Sequence, residues 1–277
     1  MELITELFRQ SGLVQIGLDT LFMYVLAGVL VYLAVRKQFE PLLLIPIGFG
    51  ILLANFPLAD MSSYDSGLIG MIYAGGIKTE LLPPIIFLGV GALTDFRPLL
   101  GRPLTFLLGA AAQMGIFIAA LGAAYLFGFT PQEAASIGII GGADGPTSIF
   151  LSAQLAPHLL GPIALAAYSY MALVPIIQPP VMRLLTTKKE RAIEVGKPIP
   201  VSKRAVIIVP IVTAGITILA VPSSGPLIGM LMFGNLIRES GVTDRLRKTA
   251  GGALIDIVTI FLGISVGATM QADLFLA

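Results

Sequence analysis

The chain has 277 residues, of which 56% are hydrophobic and 12% charged, with a mean hydropathy of +0.93 and a formal net charge of +1. A soluble domain carries roughly twice that charged fraction, so lipid rather than water must meet most of this surface, and no basic domain or helix face is present to hold a nucleic acid. The absence of cysteine excludes disulfides, thiolate metal sites and iron–sulfur clusters, and a single histidine, His158, leaves no His-based zinc or haem site.

The N-terminus holds Glu2, Glu6, Arg9 and Asp19 ahead of the first long apolar run. That polarity is wrong for a cleaved signal peptide, so the segment is expected to stay in the mature protein. A membrane-spanning helix needs about 20 mostly apolar residues. Uncharged runs that approach this length occupy 20–35, 41–59, 81–94, 103–132, 161–182, 205–221, 226–237 and 257–271. Three of them, 81–94, 226–237 and 257–271, are short and rich in Gly or Pro, which lipid tolerates only where neighbouring protein or a polar cavity satisfies the loosened backbone. Lys and Arg set the orientation. The stretch 183–204 carries seven cations against Glu190 and Glu194, and 238–248 carries Arg238, Arg245, Arg247 and Lys248 against Glu239 and Asp244. Both are placed in the cytoplasm. The stretch 60–80, with Asp60, Asp65 and Glu80 against Lys78, is placed outside. The count of spans then closes if the segment from about Glu133 to Leu160 enters the membrane and returns to the same side.

That segment contains Gly141-Gly142-Ala143-Asp144-Gly145-Pro146-Thr147-Ser148. Three glycines and a proline around one acid cannot continue a regular helix, because Pro146 lacks an N–H and disfavours helical geometry at Gly145. Unwinding frees backbone carbonyls, and Thr147 and Ser148 add hydroxyl oxygens beside the carboxylate. Several neutral oxygens and one negative charge, with no soft ligand, suit a hard cation. Broken membrane helices supply that set in many secondary transporters. Asp-Gly and Gly-Pro are also ordinary turn pairs, but the stretch 103–182 has no other charge than Glu133. An acid at the bilayer centre costs roughly 3 kcal/mol or more on insertion scales and is functional by default. Tyr170, in Tyr168-Ser169-Tyr170, lies where it could fold back beside Asp144. Gln178 and Asn235 could bond across helices, Gly263-x-x-x-Gly267 permits close helix approach, Asp95 beside Arg97 and Arg102 reads as a solvated loop charge, and His158 receives no role.

The chain also echoes itself. Phe49-Gly50-Ile51-Leu52-Leu53 resembles Phe233-Gly234-Asn235-Leu236-Ile237. Phe87-Leu88-Gly89-Val90-Gly91-Ala92 resembles Phe261-Leu262-Gly263-Ile264-Ser265-Val266-Gly267-Ala268, with two extra residues. The order is the same in both halves and the flanking charge is opposite, as an inverted-topology repeat requires. The fold expected is therefore all-α and polytopic, an inverted-repeat transporter with discontinuous or re-entrant helices. Residues 1–182 form a first membrane repeat that contains the broken-helix cation site, 183–204 a basic cytoplasmic linker, and 205–277 the beginning of a second repeat. A second polar break, counted from Phe261 as Asp144 is from Phe87, would fall near position 318, so the second repeat is expected to be incomplete.

Gly138-Ile139-Ile140 with the motif above, Ala166-Ala167-Tyr168-Ser169-Tyr170-Met171-Ala172-Leu173-Val174-Pro175, Gln178-Pro179-Pro180, Gly234-Asn235-Leu236-Ile237-Arg238-Glu239-Ser240-Gly241 and Ile257–Gly263 together resemble the β subunit of the Na+-translocating biotin-dependent decarboxylases, which act on oxaloacetate, methylmalonyl-CoA, glutaconyl-CoA or malonate. The resemblance runs from Phe39 to the last residues. It implies a multi-pass subunit of a bacterial or archaeal inner membrane that receives carboxybiotin from a partner carrier, decarboxylates it with consumption of a proton, and exports Na+. By matching position, Asp144 corresponds to the family's essential intramembrane aspartate and Tyr170 to its functional tyrosine. The resemblance further implies a carboxyltransferase and biotin-carrier α subunit, a small one-span γ subunit and a homo-oligomer. It places other functional residues in a C-terminal region past Ala277, and a long extracellular insertion where this chain has the short stretch 60–80. A plain Na+/H+ antiporter without decarboxylase partners, or an inactive fragment of the pump subunit, are the competing readings.

Overall fold

The computed structural model describes residues 11–194, 196 and 199–276, so Glu2, Glu6, Arg9 and Lys197 lie outside the described residues. Eleven helices of eight residues or more are present among the described residues, and no strand. They are α1 (Leu18–Lys37), α2 (Pro41–Ala54), α3 (Leu68–Gly76), α4 (Leu82–Leu93), α5 (Phe106–Phe127), α6 (Pro131–Gly138), α7 (Gly145–Leu155), α8 (Leu160–Leu185), α9 (Lys203–Ala220), α10 (Gly225–Ser240) and α11 (Ile255–Ala268). Each of the eight apolar runs read from the sequence holds one of the longer helices. This is the expected outcome in lipid, where a helix satisfies its own backbone. Among the described residues four helices are long and apolar enough to cross a membrane, and a fifth is obtained if the bent pair Pro157–Met171 and Leu173–Leu185 counts as one span. The protein is an all-α, multi-pass membrane protein.

Helix ends follow local chemistry. Pro41 and Pro131 open α2 and α6, where the missing N–H costs nothing. Gly128 and Gly241 close α5 and α10 in the left-handed conformation that glycine adopts freely, at φ 74° and 71°. The run 103–132 is therefore divided at Gly128, and Gln132 belongs to the next helix. The stretch 60–80, read from the sequence only as an acidic segment, contains α3. Here Gly70 packs so closely on the Ser62 and Ser63 backbone that no side chain would fit.

The chain divides into two compact units that interleave along the sequence. The first comprises Met1–Pro83, Gly145–Tyr168 and Asp256–Ala277, the second Pro84–Asp144 and Ser169–Ile255. In the first unit α1 packs on α2, and α2 on α11. A methyl group on Gly50 would lie 2.5 Å from the Ile264 carbonyl oxygen, and one on Gly267 would collide with the Ile47 carbonyl and lie 2.7 Å from the Ile51 nitrogen. Small residues thus let two backbones touch, the usual membrane-helix contact. In the second unit α9 packs on α10, and α10 on α4. A methyl on Gly234 would collide with the Leu88 carbonyl, and one on Gly91 with the Leu231 carbonyl while lying 3.0 Å from the Asn235 nitrogen.

The two sets of contacts correspond residue by residue. Ile47, Gly50 and Ile51 map onto Leu231, Gly234 and Asn235 with one constant shift, and Leu88 and Gly91 onto Ile264 and Gly267 with another. The second shift pairs Gly91-Ala92 with Gly267-Ala268 but sets Phe87 opposite Gly263, two residues from Phe261. The helices of each pair also finish at the same end. In the first unit Asn55, capping α2, donates to the Met270 carbonyl (2.9 Å) just past α11 and accepts from the Ala272 amide (2.8 Å). In the second, Asn235 of α10 donates to the Thr94 carbonyl (2.8 Å) just past α4, and Arg238 donates to the Leu93 carbonyl (2.8 Å).

Candidate functional site

The polar motif is approached by the α5–α6 hairpin of the second unit. Thr130 and Glu133 form a capping box at the start of α6: the Glu133 amide donates to the Thr130 hydroxyl (3.4 Å), and the Thr130 amide donates to the Glu133 carboxylate (2.9 Å). The second charge of the stretch 103–182 is thereby accounted for as a helix start. α6 then runs back along α5. Gly138 is buried where a methyl would lie 2.8 Å from both the Ala120 side chain and the Ile116 carbonyl oxygen. Gly141 and Gly142, in the 3-10 turn Ile139–Gly142, lie against Ile116 at 3.4–3.8 Å. Ile116 is at the middle of α5, so the returning segment reaches mid-helix height just before Asp144.

There the helix breaks. Ala143 takes a left-handed conformation (φ 53°, ψ 37°), which a residue with a Cβ adopts only at a cost. Asp144 follows outside any helix and is half-buried, and α7 begins at Gly145. The division between the two compact units falls at this point of the chain. Asp144 thus ends one segment, while Thr147, half-buried, and Ser148, fully buried, stand in the first turn of the next. Pro146 is accommodated because the first turn of a helix needs no donor from it. One turn on, the buried Ser152 hydroxyl donates to the Ser148 carbonyl (2.6 Å), which keeps that hydroxyl inside α7 without breaking it.

Within the first unit, Gly145 is buried against Tyr168. Its Cβ position is occupied by the edge of the tyrosine ring and lies 2.8 Å from the phenolic oxygen. Tyr168 is fully buried, whereas Tyr170, the tyrosine singled out from the sequence, is 37% exposed on α8. Sequence reasoning missed Tyr168. The pattern Tyr-Ser-Tyr shows two aromatic residues, and only the close approach at Gly145 tells which one the motif packs on. Among the residues given lesser roles, Asn235 is buried and bonds across helices, and Gly267 makes the close contact its spacing permits. Asp95 is part of an ion-pair cluster: it accepts from the Arg97 amide (3.0 Å) and lies 3.6 Å from the Arg238 guanidinium. His158 lines a pocket with Tyr64, Tyr73 and Thr269.

Residues 19–277 match the model of a family described as the Na+-transporting oxaloacetate decarboxylase β subunit. Among curated proteins, the chain is 51% identical to the methylmalonyl-CoA decarboxylase subunit β of Propionigenium modestum, over all of this chain and 75% of that one. It is 53% identical to the glutaconyl-CoA decarboxylase subunit β of Acidaminococcus fermentans (99% of this chain, 72% of that one). It is 46% identical to the oxaloacetate decarboxylase β chain 2 of Salmonella typhi (100% and 77%).

Proposed function

The chain belongs to the Na+-transporting oxaloacetate decarboxylase β-subunit family, and we propose that within it Asp144 is the carboxylate through which Na+ crosses the membrane. The protein is a membrane subunit of a Na+-pumping decarboxylase, a reading its relatives favour over that of an antiporter without decarboxylase partners. The observation that carries the proposal is the break at Asp144. A half-buried acid stands where α6 and its 3-10 extension stop beside the midpoint of α5, and the hydroxyls of Thr147 and Ser148 follow within four residues. An unwound backbone with one carboxylate and neutral oxygens is a hard-cation donor set. Na+ is here the cargo, and Asp144, Thr147 and Ser148 supply its oxygens.

In this proposal the energy comes from a partner. A biotin-carrier and carboxyltransferase α subunit delivers carboxybiotin, whose decarboxylation consumes a proton, and a one-span γ subunit completes the complex, with the β subunit as a homo-oligomer. Tyr170 serves the proton-consuming step. Which acid feeds the carrier is decided in the partner chain, since the relatives are named for three different ones.

The sequence segments 1–182 and 205–277 are proposed as two inverted repeats joined by the linker 183–204. Support comes from the corresponding glycine contacts and from the charge beyond each pair of helices. The α2–α11 pair ends at acidic 60–80 and the α4–α10 pair at basic 238–248, the opposite flanking charge that an inverted repeat requires.

The test is chemical labelling of the acid. A hydrophobic carbodiimide reacts with carboxyl groups in apolar surroundings. In the assembled complex it should label Asp144, and Na+, but not K+, should slow that labelling several-fold. Labelling that is insensitive to Na+, in a complex whose decarboxylation Na+ stimulates, contradicts the assignment.

A further inference from the structure

Two basic segments that charge counting places in the cytoplasm, 183–204 and 238–248, converge in the second unit on one open bowl of about 590 Å3. Arg97, Lys203, Arg238 and Glu239 line it, with Pro200 and Val201 on its rim. Arg97, Val206 and Glu239 also line an adjoining slot of about 90 Å3, otherwise walled by apolar groups such as Phe96, Phe106, Pro210 and Met232. Bowl and slot therefore form one cleft, cationic at its mouth and apolar at its depth.

Glu239 organises the mouth. Its side chain is 2% exposed, and its two oxygens hold two guanidinium groups: Arg97 donates through Nε (3.2 Å) and Nη2 (2.7 Å), and Arg238 through Nε (3.3 Å). Arg238 is fixed further by the Leu93 carbonyl (2.8 Å) and by Asp95 at 3.6 Å. A buried acid stays ionised only when paired in this way, and the pairing raises the Arg97 pKa above its ordinary value. Arg97 keeps 57% of its side chain exposed, and the carboxylate engages only Nε and Nη2. Its remaining donor edge is thus preset for an incoming oxyanion. Counting Arg97, Arg238 and Lys203 against Glu239 and Asp95, the mouth carries one net positive charge.

We propose that this cleft receives the carboxylated biotinyl arm, an inference that rests on the functional reading above. An N-carboxylated ureido ring is a monoanion with a planar carboxylate, carried on an apolar sulfur ring and a flexible chain. The arginine edge and Lys203 match the carboxylate, and the slot matches the apolar ring. Ile199, Pro200, Val201 and Lys203 of the lining belong to a segment that charge counting places in the cytoplasm, the side from which such an arm arrives. Glu239 is a positioning residue: it aims the two arginines and does not itself meet the ligand's charge.

The chain's lack of cysteine provides a clean test. Val201→Cys places a single thiol of this chain at the rim. In the assembled complex, in inside-out vesicles, its alkylation by an impermeant maleimide is followed with the carrier at rest and after carboxylation, using methylmalonyl-CoA, glutaconyl-CoA and oxaloacetate in turn. Carboxylation by the acid that the complex accepts should slow alkylation at least several-fold, and avidin should remove the protection. Lys203→Gln, at an exposed position outside the ion-pair cluster, should abolish the protection, while Asp144→Asn should retain it even though turnover stops. Alkylation indifferent to carboxylation, in a complex that still shows Na+-stimulated decarboxylation, overturns the cleft and leaves the functional reading standing. Protection that follows the anionic-lipid content of the vesicles instead gives the cleft to a lipid headgroup and also overturns it. A complex with no Na+-stimulated decarboxylation under any of the three acids overturns the functional reading itself.

Discussion

At Gly145 the space for a side chain is already taken by the ring of Tyr168. Gly145→Ala must push the ring away or shift the first turn of α7, and Asp144 is the residue directly before that turn. Overpacking of this kind costs about 1–3 kcal/mol; expressed in the barrier, this is about 5- to 160-fold in rate. Na+-stimulated decarboxylation should fall in that range while the protein remains inserted and assembled. Tyr170→Phe removes one hydroxyl from a part-exposed side chain, so folding should be untouched and turnover should fall if the group serves proton transfer. Full turnover across the pH range would reduce Tyr170 to packing. The break itself was legible from residues alone, because clustered glycines, a proline and a lone acid are incompatible with an uninterrupted helix in an apolar stretch. Tyr168 was not, since which of two neighbouring tyrosines faces inward depends on a backbone contact that sequence does not carry. The capping role of Glu133 was hidden for another reason: a charge inside an apolar run draws attention to the membrane rather than to a helix start.

Among the helices, length and hydropathy located all the long ones, since an uncharged run in lipid has no other stable form. The short ones were less visible. α6 and α7 are eight and eleven residues long, so each is too short to cross alone. Their separation rests on Gly128 and on the break at 143–144. The pairings were only half legible. The echo at Phe49 and Phe233 lies in the register that the contacts use, but that at Phe87 and Phe261 is two residues out, because close packing selects the glycines and leaves the aromatic residues free to drift. If the α2–α11 and α4–α10 pairs run in opposite directions, cysteines at Ser63 and Thr243 must face opposite sides of the membrane. With an impermeant thiol reagent, Ser63→Cys should be labelled from outside, and Thr187→Cys and Thr243→Cys from the cytoplasm. Labelling of Ser63→Cys and Thr243→Cys from the same side would remove the inversion.

For the molecule as a whole, two interleaved units meet along the chain at Asp144–Gly145, and the acid that the composition makes conspicuous is the last residue before the crossing. The C-terminal ends of α4 and α10 gather the arginines of the proposed carboxylate cleft, and α5 and α6 bring the backbone to mid-helix height at the proposed cation site. On these two proposals one subunit would carry a place for the energy-yielding anion and a place for the transported cation, as a pump driven by decarboxylation requires. The central claim is that Na+ passes through the site at Asp144. Its most direct test is Na+ uptake by inside-out vesicles that hold the assembled complex, driven by the acid its carrier accepts, with the native chain compared to Asp144→Asn. The native complex should accumulate Na+ against its gradient. The variant, inserted and assembled to the same level, should accumulate none. Undiminished uptake by Asp144→Asn would contradict the account.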